Sequence, residues 1–428
     1  MRSPQAAPKT ETKSTQLPVL EQSDFDILTS KESRELIERH IDGDPARLAL
    51  KLRNPAVTRQ IRILQKCRTK LPAYYAARCI VPQIAYEQAS SEAAATARTE
   101  SILPSIPEGE RKLAVDLTCG LGVDSLALSR VFDRVIAAEL DPLRAETARW
   151  NFERLGVGNI EVVHRSAEDF LVSWPCGQRI DLVYIDPSRK KADGSRVYSW
   201  EDSSPNVLEL FPVLRRNARR IVVKLSPLFD VAEVYRLFGE NTCVEVVSLD
   251  GECKEVLAKI GFEEGQETAP YMRTTIIRRG ETRHYDFSRT TADAGLTECG
   301  KVGEARFLLV PDVAFYKTRT VGAYIATYLP HMRGNLRLSG EYLFADELPD
   351  NFTGRTYRIT FRHPYQPKEI ARLLRSRGIR RINIHRRNFP FSAEQIGHAL
   401  GVGLGGSTDI FCTLADGEPT VFFVGRID

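Results

Sequence analysis

Nowhere in these 428 residues is there a run approaching the ~20 consecutive apolar residues that a membrane-crossing helix needs. The N-terminal stretch MRSPQAAPKTETKSTQLP also lacks an apolar core segment, so no secretory signal is expected, and residues 1–20 read as a polar tail. The eight cysteines, at 67, 79, 119, 176, 243, 253, 299 and 412, contain no CxxC pair. Their scatter argues against a disulfide framework or a zinc site and fits reduced thiols in a cytoplasmic protein. No metal is expected. Internal repeats and low-complexity tracts are absent as well. What remains, 42% hydrophobic and 27% charged residues, is an ordinary globular balance, and the length implies two to four domains.

Charge of either sign is in little excess, with a net of +4, but it is unevenly placed. Between Arg355 and Arg387 stand ten arginines and Lys368 against a single acid, Glu369. A second, acid-free run from Lys51 to Lys70 carries Lys51, Arg53, Arg59, Arg62, Lys66, Arg68 and Lys70. Such asymmetry suits a polyanionic partner, RNA or DNA, although a pair of well-solvated helix faces would give the same pattern.

Residues 21 to about 100 have helical character. Thr29-Ser30-Lys31-Glu32 spells a capping box, and Asp44-Pro45 an N-cap followed by proline at the first helical position. Further helices are expected over Ala56–Cys67 and from Pro82 through the Ala-rich segment to Ala97, with a boundary in the Pro-containing stretch Ile102–Glu110. From Arg111 onward short β-rich runs alternate with helical ones. The expected strands are Leu113–Leu117, Val135–Glu139, Ile160–His164, Leu182–Ile185 and Ile221–Lys224, with Val244–Leu249 and Thr274–Arg278 as a sixth and seventh. This alternation predicts an α/β, doubly wound Rossmann-like domain. After about 280 the pattern is α+β. The last 75 residues read as strand, helix, strand, helix and two strands, a small basic domain.

The strongest motif is DLTCGLG, Asp116 to Gly122, between the first strand and the helix starting near Val123. Its glycines allow a tight turn and close approach of a ligand to backbone N–H groups. In a doubly wound sheet this loop lies at the carboxyl edge, where ligands bind. The second strand ends in Glu139, about twenty residues on, where an acid can accept both hydroxyls of a ribose. Ser166, Ala167, Glu168 and Asp169 follow the third strand, and Asp186-Pro187-Ser188-Arg189 the fourth.

Over roughly residues 105 to 280 this order and spacing resemble a class I methyltransferase that uses S-adenosylmethionine (SAM). The D-x-x-C-G-x-G loop is similar to those of nucleic-acid methyltransferases, including the RNA-cap guanine-N2 enzymes. The resemblance implies that Asp116, Thr118, Gly120 and Gly122 lie along the methionine moiety, that Glu139 holds the ribose, and that Ser166, Ala167 and Glu168 meet the adenine. It also places an upstream helix, here around Gln88 and Ser91, near the methionine carboxylate. The whole chain resembles a bacterial group that joins such a domain to a ferredoxin-like segment and a C-terminal THUMP-like domain. The implied layout is an N-terminal helical region (21–105), a seven-stranded methyltransferase domain (106–280), a ferredoxin-like segment (281–350) and a THUMP-like basic domain (351–428). THUMP domains bind RNA, which implies Arg380, Arg381, Arg386 and Arg387 as contacts.

Amino-methyltransferases have a D-P-P-Y element whose acid and carbonyl hold the exocyclic amine. Asp186, Pro187 and Arg189 stand at the related positions, with arginine in place of the stacking aromatic; Tyr198 or Trp200 could supply the stacking. Arg189, Lys190 and Lys191 would suit a phosphate. Enzymes that methylate C5 of a pyrimidine need a cysteine after the fifth strand, where this chain reads Lys224-Leu225-Ser226-Pro227. Transfer to a base nitrogen of RNA is therefore expected. Two alternatives remain: a small-molecule or protein substrate, and a non-catalytic RNA-binding protein. The G-x-G-x-x-G spelling at 401–406 follows a helix and precedes a strand, the reverse of a dinucleotide site.

Overall fold

A computed structural model describes residues 20–189, 203–262, 272–288, 301–303, 305–332 and 334–427. Lys190, Lys191, Tyr198 and Trp200, named above, lie outside the described residues, as do residues 1–19 and the side chain of Arg189. The chain divides into two units, the first ending at Arg219 apart from short excursions and the second running from Arg220 to the C-terminus.

The first unit opens with helices whose ends follow their capping residues. Asp44 accepts the N–H groups of Ala46 and Arg47 at 2.8 and 3.0 Å ahead of Pro45–Leu52, and Asn54 accepts that of Val57 ahead of Pro55–Lys70. The expected box at Thr29–Glu32 is displaced by one residue. Ser30 is the cap and accepts the N–H of Ser33, so no acid closes the box and Glu32 sits in the first turn instead. The helix expected from Pro82 to Ala97 is two helices, Gln83–Gln88 and Glu92–Ile102, because Ser91 turns its hydroxyl onto the N–H of Ala94 and starts the chain afresh. Apolar residues recurring every three or four positions of Pro55–Lys70, among them Val57, Ile61 and Leu64, meet Phe25, Leu28, Ile37 and Leu48 in one core.

Four parallel strands follow: β1 (Leu113–Asp116), β2 (Arg134–Glu139), β3 (Ile160–His164) and β4 (Ile180–Ile185). They lie in the order β4-β1-β2-β3, with Val115 opposite both Ile136 and Val183. The chain therefore reverses direction across the sheet at β1, the switch point where a crevice opens at the strands' carboxyl ends. Two short strands, β5 (Ser188–Arg189) and β6 (Ser203–Ser204), pair antiparallel.

The chain enters the second unit within β7 (Ala218–Leu225). There β7 and the strands β8 (Cys243–Leu249), β9 (Glu252–Ile260), β10 (Met272–Arg278) and β11 (Glu281–Phe287) run in the order β7-β9-β8-β10-β11. The antiparallel β9, inserted between β7 and β8, was not anticipated, and neither was β11. The expected domain limit at 280 falls in the turn between β10 and β11, so β11 belongs to this sheet.

A separate seven-stranded sheet contains β12 (Phe307–Pro311), β13 (Leu336–Ser339), β14 (Tyr342–Ala345), β15 (Gly354–Pro364), β16 (Arg381–Arg386), β17 (Gly403–Ala415) and β18 (Glu418–Arg426), in the order β13-β14-β12-β15-β18-β17-β16. Because β12 pairs with β15 from Phe307 to Pro311, residues on both sides of 350 share one sheet. Helices Pro367–Ser376 and Ala393–Leu400 cover its far end through Ile370, Leu374, Ile396 and Leu400.

Candidate active site

The DLTCGLG loop is held from three sides within the first unit. Asp116 ends β1 fully buried; its carboxylate accepts the Ser125 hydroxyl at 2.6 Å and the Thr118 N–H at 3.0 Å. Burial, reinforced by the nearby charges of Asp186 and Glu139, pushes its carboxyl up to about 6 despite those hydrogen bonds. Glu139, at the end of β2 and also buried, accepts the N–H of Gly120 at 2.8 Å through one oxygen and that of Asp141 at 3.0 Å through the other. Gly120 and Gly122 both take left-handed backbone conformations, φ +53° and +84°. A Cβ on Gly122 would stand 2.4 Å from the Phe152 ring, so no side chain fits there.

The N-terminal helices brace the same loop. The buried Tyr74 hydroxyl donates to the carbonyl of Leu121 at 3.0 Å. Glu92 accepts the N–H groups of Ala73 and Tyr74, which caps the short helix carrying that tyrosine, and burial raises its carboxyl above the usual range. Arg98, 3% exposed, pairs with Asp124 in the first turn after the loop and donates to Ser90 at 3.1 Å. Sequence reasoning missed Tyr74 and Arg98, and it included Glu92 only as the end of the upstream segment Glu87–Glu92 expected near the methionine carboxylate, not as a cap. Their roles depend on contacts across some 20 to 50 residues of chain, and the only local signal was Arg98, a lone cation in an Ala-rich run.

The fourth strand's end is joined to the first. Thr118 accepts the backbone N–H of Asp186 at 2.7 Å on its hydroxyl oxygen. Asp186 and Pro187 are half-buried and Ser188 is exposed. The structure thus brings Asp116, Thr118, Gly120, Gly122, Glu139 and Asp186 together at the carboxyl edge of β1, β2 and β4. Ser166 accepts the N–H of Asp169 at 2.9 Å and so begins the helix after β3, with Ala167 buried and Glu168 exposed. Upstream, Gln88 ends its helix exposed, and Ser91 uses its hydroxyl as a cap. Cys119 is buried with its thiol pushed well up, which suits packing and not nucleophilic attack.

Comparisons with known proteins bear on the fold and on two segments of the chain. A putative methyltransferase from Porphyromonas gingivalis W83 superposes with a TM-score of 0.72 over 94% of this chain and 99% of that one, at 22% identity. The chain has a methyltransferase fold. Residues 99–176 of this methyltransferase fold match a family model described as tRNA (Uracil-5-)-methyltransferase, and residues 354–426 one described as THUMP domain-like. An S-adenosylmethionine-dependent methyltransferase of Mycobacterium tuberculosis is 28% identical over 250 residues, 56% of this chain. The match spans about 60% of that relative's length. A tRNA/tmRNA (uracil-C(5))-methyltransferase of Sodalis glossinidius is 32% identical over 118 residues, 24% of this chain and 30% of its own. The family model that covers the loop is thus the tRNA uracil-5 one, where the loop's spelling had suggested cap guanine-N2 enzymes. That match stops at 176, before Asp186 and before the end of β7.

In the THUMP-like segment the four expected arginines have different surroundings. Arg380 and Arg386 are exposed. Arg381 donates twice to the carbonyl of Leu404, at 3.1 and 2.8 Å, while Arg387 lies 3.6 Å above the Tyr316 ring and pairs with Glu341. The glycine run contains a bulge. Leu404 faces Ile382 and Asp409 faces the next residue, Asn383, so residues 405–408 are looped out of the ladder. His385 bonds Asp409 at 2.8 Å and stacks on Phe411, a packing role. Among the described residues no cluster of His, Cys, Asp or Glu could hold a metal, and no helix is long and apolar enough to cross a membrane.

Proposed function

We propose that this protein is a cytoplasmic SAM-dependent methyltransferase that modifies a base nitrogen in RNA. The observation that carries this is the hydrogen-bonded unit Asp116–Thr118–Asp186 beside the Glu139-held glycine loop. These bonds support the reading of the glycine loop as a cofactor cradle beside a polar strand end.

The residues present fit SAM. Each Glu139 oxygen accepts one backbone N–H and keeps a second lone pair for a ribose hydroxyl. The two glycines leave the loop's backbone open to close approach, with Ser166, Ala167 and Glu168 on the adenine side. Bound SAM supplies a methyl group already attached to a good leaving group, so the chain's own work is positioning. Asp186, its backbone pinned by Thr118, accepts a hydrogen of the amine through its carboxylate, and the Pro187 carbonyl region accepts the other. That directs the nitrogen lone pair at the methyl. By its charge alone, Arg189 would suit a phosphate or another anion of the substrate.

Uracil-C5 chemistry is the alternative that the tRNA uracil-5 match favours. It needs a thiolate after the fifth strand, and β7 ends at Leu225 followed by Ser226 and Pro227. The THUMP-like segment supports RNA as the substrate: its exposed cations can follow a phosphate backbone without reading sequence.

The test is transfer of labelled methyl from SAM to RNA of a strain deleted for this gene, with protein and small-molecule fractions alongside. Label in RNA that depends on Asp186, and no covalent adduct with 5-fluorouridine RNA, is the expected result. Label confined to another fraction overturns the RNA assignment, and a trapped 5-fluorouridine adduct overturns nitrogen.

A further inference from the structure

The acid-free run Lys51–Lys70 is partly neutralised by acids elsewhere in the chain. Along the helix Pro55–Lys70, Arg59 pairs with Asp24 and Arg68 with Asp42, and beyond it Arg78 pairs with Glu38. Acids of the helices Gln22–Thr29 and Lys31–His40, and of the turn after the latter, thus pair with these cations. Arg62 and Lys66 differ: both are exposed, and neither has an ion-pair partner among the described residues.

These two share a helix face with Lys70. Residues four apart lie on one side of a helix, about 6 Å along its axis. Arg62, Lys66 and Lys70 therefore form a cationic row along one side of the helix with no acid on it. The row ends on an aromatic ring. The Lys70 ammonium lies 4.7 Å from the centre of the half-exposed Tyr86 ring and donates to that residue's carbonyl, while the Tyr86 hydroxyl donates to the carbonyl of Lys66 at 3.2 Å. Tyr86 belongs to Gln83–Gln88, which leads directly to Ser90 and its bonds with Arg98 and Asp124 beside the glycine loop. The row is thus rigidly tied, within one unit, to the elements that brace the candidate active site.

We propose that the Arg62–Lys66–Lys70 row, ending at Tyr86, is a second RNA-backbone contact, built into the catalytic unit and distinct from the THUMP-like segment. A row of evenly spaced cations can track successive phosphates, and the Tyr86 ring holds the last of them in place. The inference rests on the RNA assignment above and says where on the catalytic unit the RNA lies. Lys70 is already engaged with Tyr86, so Arg62 and Lys66 carry the salt-sensitive part.

The experiment uses the full chain and measures affinity for unmodified RNA across a salt titration, with SAM binding by calorimetry as the check on folding. The Arg62→Gln/Lys66→Gln double variant should keep SAM affinity, bind RNA several-fold more weakly, and show a log–log salt slope shallower by about 1.4–1.8, the value for two phosphates no longer neutralised. Arg59→Gln/Arg68→Gln, which removes the same charge from paired positions, should leave the slope nearly unchanged. An unchanged slope in the first variant, or an equal change in both, overturns the inference while leaving the RNA assignment standing. Equal weakening toward RNA and polyglutamate overturns it in favour of an acidic protein. Absence of salt-sensitive RNA binding by the unmodified protein overturns the RNA assignment itself.

Discussion

The hydroxyl of Thr118 accepts the backbone N–H of Asp186 at 2.7 Å and thereby ties the loop after β1 to the end of β4. The same residue's N–H is held by the buried Asp116 carboxylate. Three residues from two separate strand ends are therefore joined by hydrogen bonds. Replacing Thr118 with valine keeps the shape and removes the acceptor. The loss of such a bond costs about 1–3 kcal/mol, so methyl transfer should fall about fivefold or more, and by a larger factor than SAM affinity. Thr118→Ser should restore most of the rate. Single-turnover transfer and calorimetry, run in parallel, check both halves.

On the proposed mechanism, Asp186→Ala should abolish transfer and leave SAM binding nearly intact, because the bond to Thr118 is made by the Asp186 backbone N–H and survives the substitution. An active Asp186→Ala enzyme would remove that residue from the mechanism.

The two loop glycines make unequal demands. Alanine at Gly122 meets the Phe152 ring at 2.4 Å as well as an unfavourable φ, whereas at Gly120 the nearest neighbouring atom is 3.9 Å away. Gly122→Ala should cost about 2–5 kcal/mol of stability and weaken SAM binding, and Gly120→Ala about 1–2 kcal/mol. Equal losses by urea unfolding would contradict the packing argument.

Asp116 makes stability depend on pH. Its carboxyl is raised from 3.8 to about 6, so the folded chain holds this proton more tightly than the unfolded chain does. The associated stability is complete below the unfolded value and is lost as pH rises through about 6. The loss is on the order of 3 kcal/mol. Asp116→Asn cannot titrate, so the stability difference between variant and unmodified protein should shift toward the variant as pH climbs from 4 to 7. Denaturant midpoints measured at intervals of pH would show it, and a flat difference would refute the shift.

In the THUMP-like segment, Arg380→Ala with Arg386→Ala should weaken RNA binding and reduce the salt slope by about one unit for each phosphate no longer neutralised. Arg387→Ala should instead lower thermal stability, since that guanidinium lies on Tyr316 and pairs with Glu341. RNA affinity that ignores Arg380 and Arg386 would leave the basic segment without its assigned role.

Three hairpins share one turn. β8 and β9 are joined by Asp250-Gly251, β10 and β11 by Arg279-Gly280, and β17 and β18 by Asp416-Gly417, each with positive φ at both turn residues; the sequence pattern yields both strands of the last pair but neither β9 nor β11. That is the two-residue turn for which Asp-Gly is a strong local signal. β9 could have been found from it. Arg279-Gly280 is a weaker spelling, and without it β11 looked like the start of a new domain.

Strand ends, helix caps and the motif order were determined locally, by periodicity, by glycine's access to positive φ, and by side chains that bond backbone a few residues away. Asp44, Ser166 and the Gly120–Gly122 turn could be located for that reason. Only the tertiary structure decided which groups face one another. Tyr74 reaches Leu121, Glu92 caps the helix at Pro72, Arg98 meets Asp124, and Arg59 and Arg68 find acids on other elements while Arg62 and Lys66 do not. Such pairings come from packing apolar faces together, and a chain pattern with a period of two or 3.6 records which residues turn inward but not what they meet there.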